Sequence, residues 1–171
     1  MYKYISYVWL MLLVLVAQIF LLDNISIHLW LRPMIFPLVV LLLPLEWRTL
    51  WVMLIALLTG VIMDLSLGGA GLYVASLLPV AMLRSTLMYL ATNRVVEASD
   101  QTSLLSRLSL KQLMLYLALA MLVHHTLYFF LETLSLAHFL RLMATIIFST
   151  LLSMVVAWPI VRLFVGKVLG R

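Results

Sequence analysis

The chain has 171 residues, of which 66% are hydrophobic and only 10% charged, with a formal net charge of +5 and a mean hydropathy of +1.21. Soluble domains carry about 25% charged residues, so this composition excludes one and points to a membrane protein. Cysteine is absent, which excludes disulfides, thiol catalysis and Cys-based metal sites; the basic residues are spread between apolar runs, which reads as membrane topology and not as a groove for nucleic acid.

Six apolar segments approach the roughly 20 residues needed to span a bilayer. They cover 4–22, 30–45, 48–67, 71–91, 110–131 and 139–165. The first follows Lys3, is too long for the apolar part of a signal peptide, and has no small-x-small site before Asp23, so it reads as an uncleaved anchor. Its Gln18 is expected to contact another helix. The second holds Pro33, Pro37 and Pro44. Pro33 suits a first helical turn, and Pro37 should bend the helix and free a carbonyl. This segment either spans or is re-entrant, and an even number of crossings favours spanning.

The third segment contains Asp64 close to its end. Ala56, Gly60, Asp64 and Gly68 recur every four residues and share one helix face, with Gly71 following. An acidic group within a span costs ~2.5–3.5 kcal/mol at a helix centre, so it needs a role. The stripe reads either as glue at a tight helix crossing or as a contact for a partner helix. Arg84 lies inside the fourth segment, toward its end. The loop 93–110 is the longest polar stretch. Leu104, Leu105 and Leu108 share a face there, with Arg94, Arg107 and Lys111 as basic contacts. It suits an amphipathic helix on the anionic leaflet, a docking surface for a cytoplasmic partner, or a plain connector.

The fifth segment carries His124, Tyr128 and Glu132 at four-residue spacing, with His125 adjacent. The sixth carries Arg141, Thr145, Ser149 and Ser153 at the same spacing. His124 and His125 point about 100° apart and are poorly placed to share one metal ion. Serines and threonines at such positions bond their own backbone or a neighbouring helix. His124, His125, Tyr128, Glu132 and Arg141 form an expected outer polar cluster, in which Arg141 pairs with Asp64 or Glu132.

Lys3, Arg48, Arg94, Arg107, Lys111, Arg162, Lys167 and Arg171 fall on one side of such a bundle, and Arg32 and Arg141 on the other. The positive-inside rule then puts both termini in the cytoplasm. Trp9, Trp30, Trp47, Trp51 and Trp158 fall mostly near segment ends, as interface anchors do. No His-Glu-x-x-His, Gly-x-Ser-x-Gly or phosphate-loop signature is present, so a non-enzymatic role is expected.

Leu31-Arg32-Pro33 opens the second segment. Gly60-x-x-x-Asp64-Leu65, with Gly68 and Gly71, closes the third and opens the fourth. Trp158-Pro159 sits in the last, before a basic tail. In order and spacing the chain resembles the bacterial rod shape-determining protein MreD family, over essentially its whole length. Where that family often has a polar residue after the Arg-Pro pair, this chain has Met34.

The resemblance implies an all-α integral membrane protein, a compact bundle of six transmembrane helices similar to the substrate-binding subunits of energy-coupling-factor transporters. It further implies a scaffold or regulator of the cell-elongation (rod) complex in the bacterial inner membrane, with no cofactor. Its partners would be an MreC-like bitopic membrane protein, a RodA-like glycosyltransferase with its transpeptidase, and an MreB-like actin. The shared fold keeps one alternative open, the substrate-binding membrane subunit of a vitamin transporter, whose pocket the outer polar residues would line.

Overall fold

The computed structural model describes residues 2–23, 31–44, 47–93, 108–135 and 138–168, and these are helical apart from their connections and most of the segment 31–44. Helix α1 (Tyr2–Val16) continues into a π-helical stretch, Ala17–Leu22. Helix α2 is a single turn, Leu38–Leu41. Four long helices follow, α3 (Thr49–Leu67), α4 (Leu72–Thr92), α5 (Leu110–Thr133) and α6 (Phe139–Val168). Each of these four is long and apolar enough to cross a membrane, and the described apolar part of α1, Met11–Leu22, is shorter. The chain is a membrane-type helical bundle. Neighbours α3, α4, α5 and α6 pack in chain order.

The second segment departs from the expected helix over 30–45. Its described part is irregular over 31–37, makes one helical turn as α2, and turns again before Pro44. The prolines explain the break. Pro37 has no N–H, and its ring disfavours helix at Phe36. Every residue over 33–43 is nevertheless buried. Ile35, Leu38, Leu41 and Leu42 pack with Val14, Met88, Tyr116 and Val161 in one core cluster. Met34, Phe36, Val40 and Leu43 pack with Ala56, Tyr73, Leu77 and Ile146 in the other. The segment is apolar nearly throughout because it has neighbours on every side.

The helices around it turn apolar side chains outward, as a lipid-facing surface should. Leu50, Trp51, Leu54, Leu58 and Leu65 of α3 are exposed, as are Trp9 and Trp158. Helix α5 is the most enclosed of the four and α3 the least. Helix α5 starts on a capping box, in which Ser109 Oγ accepts the Gln112 N–H and Gln112 Oε1 accepts the Ser109 N–H. Leu108, expected on an amphipathic loop, is buried in the core, and Lys111 is exposed on the first turn of α5. Trp30, Arg94, Leu104, Leu105, Arg107 and Arg171, and the side chains of Lys3 and Lys167, lie outside the described residues.

Candidate functional site

Non-helical backbone at membrane depth survives only where protein groups satisfy its N–H and C=O groups. Side chains from α1, α4, α5 and α6 do this for the segment 31–44. Gln18 Nε2 donates to the Pro33 carbonyl at 3.1 Å, and Gln18 Oε1 accepts the Ile35 N–H at 2.7 Å. Gln18 sits in the π-helical stretch, where the wider turn re-aims a side chain. Ser149 Oγ accepts the Arg32 N–H at 3.4 Å, and Ser153 Oγ accepts the Met34 N–H at 2.8 Å. The Tyr116 hydroxyl donates to the Leu41 carbonyl at 3.3 Å. Arg84 Nη2 donates to the Leu43 carbonyl.

These contacts also measure the segment's path. Arg32 lies beside Glu132 at one end of α5, and Leu41 beside Tyr116 toward the other. Between those two positions α5 rises roughly 24 Å, whereas a helix from Arg32 to Leu41 would rise only roughly 14 Å. The extended part, at ~3.3 Å per residue, makes up the difference. The segment thus traverses most of the bundle along its axis without being a long helix.

At the Glu132 end lies an open cleft of about 360 Å³, lined by Arg32, Glu132, His138, Arg141 and Thr145 among others. Arg32 Nη1 donates to Glu132 Oε1 at 2.8 Å, and both side chains are partly exposed. Glu132, one of the two partners expected for Arg141, takes Arg32 from the crossing segment, and Arg141 lines the same cleft.

Beneath the cleft the expected polar cluster divides. Glu132 and Arg141 are exposed at the mouth, while His124, His125 and Tyr128 are buried. Phe36 packs edge-on against both Tyr73 and His124, with ring centroids 5.5 and 5.0 Å apart. Tyr73 and Tyr128 lie 5.0 Å apart. His125 Nδ1 is 2.8 Å from the Met121 carbonyl, which makes it the donor nitrogen. Its Nε2 can then accept the Ser153 hydroxyl at 3.3 Å. The proton order is consistent from Met34 N–H to Ser153, from Ser153 to His125, and from His125 to Met121. His125 therefore orients the serine that holds the crossing segment. Among the described residues neither ring nitrogen of His124 has a hydrogen-bond partner of good geometry, and the ring packs against Phe36. Among the described residues, no three of His, Asp and Glu are grouped so as to hold a metal ion.

The stripe on α3 faces α4 of the same chain. A Cβ on Gly60 would lie 2.7 Å from Val74 Cα, so the two backbones meet there. Ala56 is buried beside this crossing. The Asp64 carboxylate accepts the N–H of Gly71 at 2.9 Å, of Tyr73 at 3.2 Å and of Val74 at 3.0 Å. Its backbone carbonyl accepts the N–H of Gly68 and Gly69. One residue thus closes the end of α3 and caps the start of α4, where a carboxylate also complements the helix dipole. Of the two partners expected for Arg141, Asp64 is thus occupied by the backbone N–H groups of Gly71, Tyr73 and Val74. Gly68 and Gly71 take φ of +70° and +93° in the turn, and both are exposed. The stripe acts as helix-packing glue within the chain.

Arg32, Tyr73, Phe36 and Tyr116 were not singled out as site residues from sequence. The signal available for them was indirect. A proline-broken apolar run must find hydrogen-bond partners, and tyrosines facing a core are ready donors. No family model, curated protein or solved structure matches the chain.

Proposed function

We propose that this chain is a non-enzymatic membrane scaffold of the cell-elongation complex, of the MreD kind. It would sit in the bacterial inner membrane with both termini cytoplasmic and help organise peptidoglycan synthesis to maintain cell shape. Its six crossings would be α1, the segment 31–44, and α3 to α6, an arrangement similar to the substrate-binding subunits of energy-coupling-factor transporters. The observation that carries this reading is the filled interior. The bundle axis is occupied by the chain's own residues 33–43, all buried, where a carrier would need space for cargo. The outward faces then remain for work, above all the apolar face of α3 and the charged outer cleft. An MreC-like bitopic protein, a RodA-like glycosyltransferase with its transpeptidase, and an MreB-like actin are the partners this role entails.

The open cleft of about 360 Å³ favours a second reading, a vitamin-binding subunit. One experiment separates the two. The tagged protein is pulled down in mild detergent, its partners are identified by mass spectrometry, and small molecules are extracted from the same sample. The scaffold reading expects a bitopic periplasmic protein and cell-wall synthases. Recovery of ATPase subunits with a stoichiometric vitamin would overturn it.

A further inference from the structure

At the opposite end of the bundle from the cleft, the start of α3 meets α4 in a small niche of about 30 Å³. Trp47, Thr49, Arg84 and Ser85 line it, backed by Val52 and Ala81. Thr49 and Ser85 are exposed. Arg84 is only 4% exposed, and its Nε, fully buried, has no hydrogen-bond partner among the described residues. Among the described residues its neighbours are neutral, the Leu43 carbonyl and the Tyr116 hydroxyl. Among the described residues the carboxylates are Asp23, Asp64 and Glu132, and all of them lie toward the other end of the bundle.

A buried guanidinium without a carboxylate is costly in a low-dielectric interior. The niche offers further anion-binding groups. Arg48, at the N-cap of α3, makes no side-chain cap, and the first-turn backbone bonds begin at the N–H of Trp51. The N–H groups of Thr49 and Leu50 therefore lie at the positive end of α3, with no cap from Arg48. Arg48 itself is exposed beside them. Trp47 lines the niche, and Trp51 is exposed on the first turn of α3, as residues of the membrane interface are.

We propose that this niche binds a phosphate group, presented by a phospholipid headgroup or as free phosphate. The α3 N–H groups and the hydroxyls of Thr49 and Ser85 would donate to its oxygens, and Arg84 would supply the buried positive charge. This rests on the chain being a membrane protein and not on the rod-complex role, so failure of either leaves the other standing.

The test is native mass spectrometry on the delipidated full chain in detergent, titrated with phosphatidylglycerol, with diacylglycerol of the same acyl chains, and with inorganic phosphate. Phosphatidylglycerol should be retained and diacylglycerol should not. Thr49→Glu and Ser85→Glu, both at exposed positions, place a carboxylate in the niche and should lower retention about tenfold. Thr49→Glu also favours the start of α3, so its thermal stability should be kept. Displacement of the lipid by millimolar phosphate would assign the site to free phosphate, and resistance to it would assign the site to the headgroup. Equal retention by wild type and both variants, or of diacylglycerol, would overturn the proposal. So would retention seen only in Glu46→Gln, which would make Glu46, near in sequence, the native counter-charge.

Discussion

The backbone N–H of Met34 and the hydroxyl of Ser153 meet at 2.8 Å inside the bundle, 119 residues apart in sequence. This contact and those of Gln18 allow a proline-broken segment to run through the bundle.

Removing these side chains strands buried backbone groups. Ser153→Ala leaves the Met34 N–H unpaired, and Gln18→Leu leaves both the Pro33 carbonyl and the Ile35 N–H. An unsatisfied buried group costs about 1–3 kcal/mol, so Gln18→Leu should be the more damaging. Thermal unfolding in detergent checks the order. Equal melting of both variants with wild type would mean that water or another group takes over.

His125→Phe keeps the ring packing on Phe129, at 6.0 Å between centroids, and removes the acceptor that orients Ser153. Its loss should be smaller, about 0.5–1.5 kcal/mol. It should add little on top of Ser153→Ala, because both act on one chain of hydrogen bonds. Full additivity in a double-mutant cycle would refute the coupling.

Asp64→Ala should destabilise the α3/α4 hairpin by about 1–3 kcal/mol, since three N–H groups lose their acceptor. Asp64→Asn should recover part of this. Gly69→Ala should resemble Asp64→Ala, because its Cβ would come within 2.5 Å of Asp64 Oδ1 and of Tyr73. Hydrogen exchange at Gly71, Tyr73 and Val74 reads this directly. Unchanged protection in both variants would count against the cap.

Gly60→Leu and Gly68→Leu should differ. The first drives a side chain into the Val74 backbone and should lower thermal stability severely. The second meets nothing within 4 Å but holds a non-glycine residue at φ +70°, at roughly 1–2 kcal/mol. Equal melting temperatures would show that the hairpin can spread at no cost.

Arg32→Glu and Glu132→Arg each break the pair at the cleft, and their combination should restore it. The pair is partly exposed, so the stability effect is about 0.2–1 kcal/mol. Partner recovery in the pull-down is the more sensitive readout. Rescue of Glu132→Arg by Arg141→Glu in place of Arg32→Glu would reassign the pair.

The membrane character of the chain and the positions of α3 to α6 were legible from sequence. Apolar length is a local property, and a bilayer requires backbone bonds to close within each helix. The small-residue face at Gly60 was legible for a similar reason, since four-residue spacing defines a helix face, but whether it met a helix of this chain or of a partner was not. Partner identities were not local in this sense. The spacing that put Asp64, Glu132 and Arg141 at one end did not reveal that backbone N–H groups would occupy Asp64, or that Arg32 would reach Glu132. The capping box at Ser109 was written in the sequence and simply unused.

The segment 31–44 marks the boundary most clearly. Its prolines predicted a bend and a freed carbonyl, and its apolar residues a place within the membrane, but a spanning helix was still expected over 30–45. They did not determine its path, because its hydrogen-bond partners come from Gln18, Arg84, Tyr116, Ser149 and Ser153 on four other helices. A helix satisfies its own backbone and can be read one segment at a time. Extended backbone inside a membrane bundle is satisfied only by what surrounds it, and those neighbours are assembled by the tertiary structure.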